Sequence, residues 1–147
     1  MDIDGIYLKV CDLIAEVPEV KWIDMDFGQL DDFNTRPMVA FPCALIGIDI
    51  INAIELGQKK QKCQVLVNVK LAFDYKGESA HLAPENVKDR SLAYYAVVKN
   101  VYKKLQGQRV GTTPLKRQRQ IETARPDRIK ICELPFSTEF LDVSAAE

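Results

Sequence analysis

The chain has 147 residues, enough for one domain with a sizeable core, and its 47% hydrophobic and 28% charged residues are ordinary for a globular protein. This composition excludes a disordered tail, a collagen-like fibre and a heptad rod, and no run of 18 apolar residues is present to cross a membrane. The net charge of −1 conceals two poles: residues 1–32 hold nine acidic residues and two lysines, whereas residues 99–130 hold ten basic residues opposed only by Glu122 and Asp127.

Ile6, Tyr7, Val10, Leu13, Ile14 and Val17 recur at spacings of three and four, which predicts a helix over 4–17. Asp2 and Asp4 are placed to cap it and oppose its dipole, and Pro18 ends it. Residues 21–26 read as a short strand and 27–32 as a polar, turn-rich continuation. Arg36-Pro37 and Phe41-Pro42 then forbid a helix and favour an extended path.

Residues 43–51 are almost wholly apolar, with Ala44, Ile46, Ile48 and Ile50 on one face and Cys43, Leu45, Gly47, Asp49 and Ile51 on the other. A strand apolar on both faces is expected to be covered on both, by its own fold or by a partner. Gly57 and Gln58-Lys59-Lys60 mark a loop. Residues 63–75 then alternate with period two, the clearest strand pattern in the chain, so the two strands are expected to form an antiparallel hairpin.

The polar stretch 76–88 reads as a loop. A second helix is expected over 89–106, with Leu92, Tyr95, Val98, Tyr102 and Leu105 as its apolar stripe, lysines in its last turn and Gly107 past its end. Residues 115–123 alternate but are mostly polar. A final strand is expected over 128–136, with Ile129 and Ile131 facing one way and Cys132, Leu134 and Phe136 the other; Pro135 places it at an edge or ends it. The order α-β-β-β-α-β-β, with hairpin-linked strands, predicts an α+β class: an antiparallel or mixed sheet packed against two main helices in a single domain over 1–147.

Signatures of catalysis are absent from this sequence. The seven glycines form no phosphate loop, Gly-x-Ser-x-Gly does not occur, and the single histidine, His81, lies in a polar stretch. Cys11, Cys43, Cys63 and Cys132 are spaced by 32, 20 and 69 residues with no Cys-x-x-Cys, which disfavours zinc. The start of the chain lacks the basic residues and apolar run of a secretory signal, so all four thiols are expected reduced, small and buried. Asp24 and Asp26 share one side of their strand and, with Asp31 and Asp32, raise a metal site, but solvated carboxylates are the simpler reading. No metal and no cofactor is expected, and a non-enzyme is favoured.

The opposed poles admit three readings. The two segments are neighbours within one subunit or simply solvated; or copies associate head to tail, acidic end to basic end; or the basic segment 99–130 binds nucleic acid. Residues 116–120 carry no aromatic side chain for base stacking, which weakens a single-strand reading. Head-to-tail association would use Lys116, Arg117 and Arg119 against Asp24 and Asp26, with Ile46 and Ile48 of the doubly apolar strand in the contact. A metal-dependent nuclease using Asp24, Asp26 or Asp74 is the remaining alternative.

Two segments carry a resemblance: Arg36-Pro37-Met38-Val39-Ala40-Phe41-Pro42-Cys43-Ala44-Leu45-Ile46 and Glu133-Leu134-Pro135-Phe136-Ser137-Thr138-Glu139-Phe140-Leu141-Asp142. With the element order and the length, the chain resembles the small tail-completion, or tail-terminator-like, minor tail proteins of tailed bacteriophages and prophages. The resemblance implies a structural role: a ring, commonly hexameric, that ends the tail tube and meets head-connector proteins, in the virion or the host cytoplasm. It implies no catalytic residues. It also implies that the Gly57 hairpin and residues 108–128 project into neighbours or the lumen.

Overall fold

A computed structural model describes residues 2–32, 34, 36–74 and 81–147. The fold is α+β. Helix α1 (Ile3–Ala15) leads into β1 (Trp22–Met25), followed by the long strands β2 (Cys43–Gly57) and β3 (Lys60–Asp74). Helices α2 (Glu85–Ser91) and α3 (Tyr94–Leu105) precede β4 (Lys116–Arg117), β5 (Ile121–Thr123) and β6 (Ile129–Asp142), and a 3-10 turn (Ser144–Ala146) ends the chain. The six strands among the described residues form one mixed sheet in the order β1-β2-β3-β6-β4, with β5 also on β6; β1 runs parallel to β2 and the other pairs are antiparallel.

Alternation places one set of β2, β3 and β6 side chains under helices. Ala44 and Ile46, Val65 to Phe73 at alternate positions, and Cys132, Leu134 and Phe136 pack with Ile6, Val10 and Ile14 of α1 and Val97, Val98, Val101 and Leu105 of α3. On the opposite face Cys43, Leu45, Ala72, Ile129 and Ile131 are covered by Leu30, Val39 and Phe41 from the chain between β1 and β2. The doubly apolar strand is therefore covered on both faces, but only over its first four residues.

The expected hairpin is present and longer than its pattern suggested. Gln58 and Lys59 form its two-residue turn at φ 56° and 63°, the left-handed values that suit the twist of a tight hairpin. Register shifts at Ile51 and Leu56 let β2 carry extra residues against β3.

Four expectations are corrected. The apolar stripe of the second helix is rotated: Val97, Val98, Val101 and Leu105 are buried, Tyr95 is exposed, and Leu92 lies in the turn before α3. Residues 85–88 of the expected loop belong to α2, while 76–80, and Tyr75 at the end of the expected strand, lie outside the described residues. Three cysteines are buried, but Cys11 is only partly so. Pro135 neither ends β6 nor puts it at an edge: β6 runs on to Asp142 between β3 and β4. The Pro135 carbonyl accepts from the Gln118 N–H at 2.8 Å. The N and carbonyl of a strand residue point to the same side, so the donor that proline lacks would have faced Gln118: one bond is missing there, at the gap between β4 and β5, while β6 keeps its ladder with β3 on the other side.

Candidate functional site

The sheet has two unlike edges. On the acidic side β1 pairs with β2 only from Cys43 to Ile46. Beyond Asp26, whose N–H donates to the Ile46 carbonyl at 3.0 Å, the outer edge of β2 is open over residues 47–56 among the described residues. That stretch, Gly-Ile-Asp-Ile-Ile-Asn-Ala-Ile-Glu-Leu, contains no Lys, Arg or Pro. Ile50, Ile51, Ile54 and Leu56 are exposed along it, Ile51 at 59% and Leu56 at 54%. Natural edge strands usually carry lysine, proline or a cover against pairing with other chains.

A groove of about 710 Å³ adjoins this edge between α1, β1 and β2. Ile3, Tyr7, Leu8, Met25, Phe27 and Ile48 give it an apolar floor, Phe27 standing 73% exposed, and Asp4, Asp26 and Asp49 rim it with no cation among its lining. Burial, then a hydrogen bond with Cys11, pushes the Tyr7 phenol up to about 12. Burial also raises the Cys11 thiol. Neither is poised to exchange a proton near neutral pH.

On the basic side, Leu115 exchanges hydrogen bonds with Gly107 and Gln108 at 2.9 and 2.8 Å, and the Arg117 N–H donates to Gln106 Oε1 at 2.8 Å. These contacts cover the outer edge of residues 115–117. Past them the outer edge of residues 118–123 carries no strand among the described residues. Lys116 and Arg119 are exposed there without an ion-pair partner among the described residues. Arg117 lies over the Tyr102 ring at 3.8 Å and donates to Gln120 Oε1 at 3.0 Å.

The residues singled out from sequence thus fall into two groups that do not meet within the subunit. Asp24, Asp26, Ile46 and Ile48 lie at the β1–β2 edge; Lys116, Arg117 and Arg119 lie at the β4 edge. Four strand spacings separate those edges, about 19 Å, more than two screening lengths of about 8 Å at physiological salt. Of the ion pairs among the described residues, only Glu16–Lys104 at 3.6 Å joins residues 1–32 to residues 99–130. Ile46 is 2% exposed under α1 and is held by its own fold, so it offers nothing to a partner, and Ile48 is half-buried at the groove. Asp26 pairs with Lys70 at 3.1 Å and accepts from the Gly28 N–H at 2.9 Å. Asp74 pairs with Arg36. Among the described residues no three His, Cys, Asp or Glu side chains gather to hold a metal ion.

The pattern reading missed two features. The open apolar edge over 47–56 was signalled by its lack of Lys, Arg and Pro, but only topology shows that β1 stops short of it. Arg125, counted with the basic run, is structural: its side chain is 1% exposed, it grips Asp127 through Nε at 3.1 Å and Nη2 at 2.6 Å, and it donates to the Leu30 carbonyl. Among the described residues no helix is long and apolar enough to cross a membrane. No protein-family model matches the chain, and no curated protein matches it.

Proposed function

We infer that the chain is a structural subunit of the tail-completion class of tailed bacteriophages and prophages. Copies join head to tail into a ring, commonly of six, that caps the tail tube and contributes to head–tail joining in the virion or the host cytoplasm. The observation that carries the association is the pair of unlike sheet edges: one acidic with an open apolar strand, the other basic with Lys116 and Arg119 exposed and without ion-pair partners among the described residues. Complementary patches on opposite sides of one subunit generate rings when the rotation closes. The link to tails rests on the resemblance of residues 36–46 and 133–142 and on the element order. The reading assigns the chain no bond-making chemistry.

Electron microscopy of the purified chain mixed with tail tubes from the phage or prophage that encodes it tests this reading. Rings at tube ends are expected. Bare tube ends, with the chain monomeric in solution, overturn it.

A second reading has one observation in its favour: Lys99, Lys103, Lys116 and Arg119 are exposed without ion-pair partners among the described residues. A nucleic-acid-binding module would use them on phosphates, with affinity falling steeply as salt rises. Unchanged mobility of DNA and RNA at low salt removes it.

A further inference from the structure

We propose that the open edge of β2, residues 47–56, receives residues 118–123 of a second copy as an added strand, and that this is the head-to-tail contact. The proposal rests on the reading that copies assemble head to tail and names the surfaces they use. Three observations converge on it. First, the β2 edge exposes backbone donors and acceptors beside Ile50, Ile51, Ile54 and Leu56. Such an edge pairs indiscriminately unless something covers it. Second, the opposite edge of the same sheet ends in a second uncovered stretch, residues 118–123, an ordinary strand length of about six residues. Third, the charges match. Asp49 and Glu55 lie on the receiving edge and Asp4 rims the adjoining groove, while Lys116 precedes the entering segment and Arg119 lies within it, its Glu122 being taken up by Lys130 at 3.3 Å.

Pairing β2 with β2 of another copy would also cover the apolar edge. It would leave Lys116 and Arg119 unmatched, and it is closed after two copies, whereas pairing unlike edges continues around a ring.

Two variants separate these arrangements. Ile54→Lys places a cation on the receiving edge, and Arg119→Glu reverses the charge of the entering segment; both sites are exposed, so folding by circular dichroism and melting is expected to match the parent. Mass photometry and light scattering then read assembly, free in solution and on tail tubes. The parent is expected to form rings, and each variant alone to lose at least tenfold in assembly. An equimolar mixture is expected to restore no rings and to give at most a weak dimer, because only the intact β2 edge of Arg119→Glu and the intact 118–123 segment of Ile54→Lys can meet. Normal assembly of Arg119→Glu with loss in Ile54→Lys overturns the proposal in favour of β2–β2 pairing. Normal ring formation by both variants overturns it while leaving the ring reading in place. A parent chain that stays monomeric both alone and on tubes overturns both.

Discussion

Gly111→Ala tests how the basic edge is fixed to the sheet. A Cβ at position 111 would stand 2.3 Å from the Glu139 carbonyl oxygen and 2.9 Å from Thr138 Oγ1. The nearer atom belongs to the backbone of β6 and cannot swing aside, so residues 110–114 must lift by about 1 Å to restore an ordinary contact of about 3.5 Å. That segment is held by the Thr112 N–H and Thr112 Oγ1, which donate to the Glu139 carbonyl at 2.7 and 3.0 Å, and by Thr138 Oγ1, which donates to the Thr113 carbonyl at 2.8 Å. Overpacking costs about 1–3 kcal/mol, and two lost hydrogen bonds add about 1 kcal/mol each. The expected destabilisation is about 4 kcal/mol, or roughly 10 °C in Tm for a chain of this length. Calorimetry with urea unfolding measures it. Gly107→Ala is the control: its Cβ meets nothing within 4 Å, so only the left-handed φ of 82° is penalised, by about 1–2 kcal/mol. A Gly111→Ala protein melting within about 2 °C of the parent, or no lower than Gly107→Ala, refutes the contact argument.

Acid should act through Asp127. Burial alone would raise its pKa, but the Arg125 hydrogen bonds and the Ile129 N–H at 3.2 Å outweigh it and hold the carboxyl below its usual 3.8. A depressed folded pKa contributes stability that is complete above the unfolded value and is lost as pH falls through the folded one. Asp127→Asn should therefore cost about 2 kcal/mol at neutral pH, and its gap from the parent in urea should shrink as pH falls below about 4; a gap that stays constant down to pH 2.5 refutes this. The thiols make a second test. Burial pushes Cys43 and Cys132 up to about 11 and raises Cys63 and Cys11. A thiol reagent at pH 8 should reach at most Cys11 in the native chain and all four after unfolding; rapid native labelling of two or more is the contrary result.

Much of the architecture is legible because β3 alternates cleanly: the same alternation that marks residues 63–75 puts Val65, Val67 and Val69 under the helices. The first four residues of β2 are readable too, since an apolar residue at every position needs cover on both faces. From Ile48 onward the composition barely changes but the surroundings do, because β1 ends at Met25. No local pattern encodes where a neighbouring strand stops. Pro135 misleads for a related reason: its missing donor costs one bond on the side of Gln118, at the gap between β4 and β5, and leaves the ladder of β6 with β3 untouched. In α3 the stripe was misjudged because tyrosines at 95 and 102 look as apolar as the valines at 97 and 101, yet the latter face the sheet. Arg125 shows the limit for charge counting, since one of the ten cations is buried by the chain's own Asp127 and Leu30.

The magnitude of the proposed contact bears on how a ring would form. Ile50, Ile51, Ile54 and Leu56 are each about half exposed; covering the remaining half of such a side chain contributes about 1 kcal/mol, or about 4 kcal/mol for the four. Added backbone hydrogen bonds bring about 1 kcal/mol each. Against these stands a cost of about 4–15 kcal/mol for the lost freedom of each partner. A single contact is therefore weak, and an open dimer is a poor product. The copy that closes a ring makes two contacts for one loss of freedom, so closed rings outcompete open chains. A tube end strengthens the same bias, because it holds copies at high local concentration and in one orientation. An edge strand rich in isoleucine can then coexist with a dispersed free chain, since Asp49 and Glu55 keep like edges apart while the matching basic segment is the surface that completes the sheet.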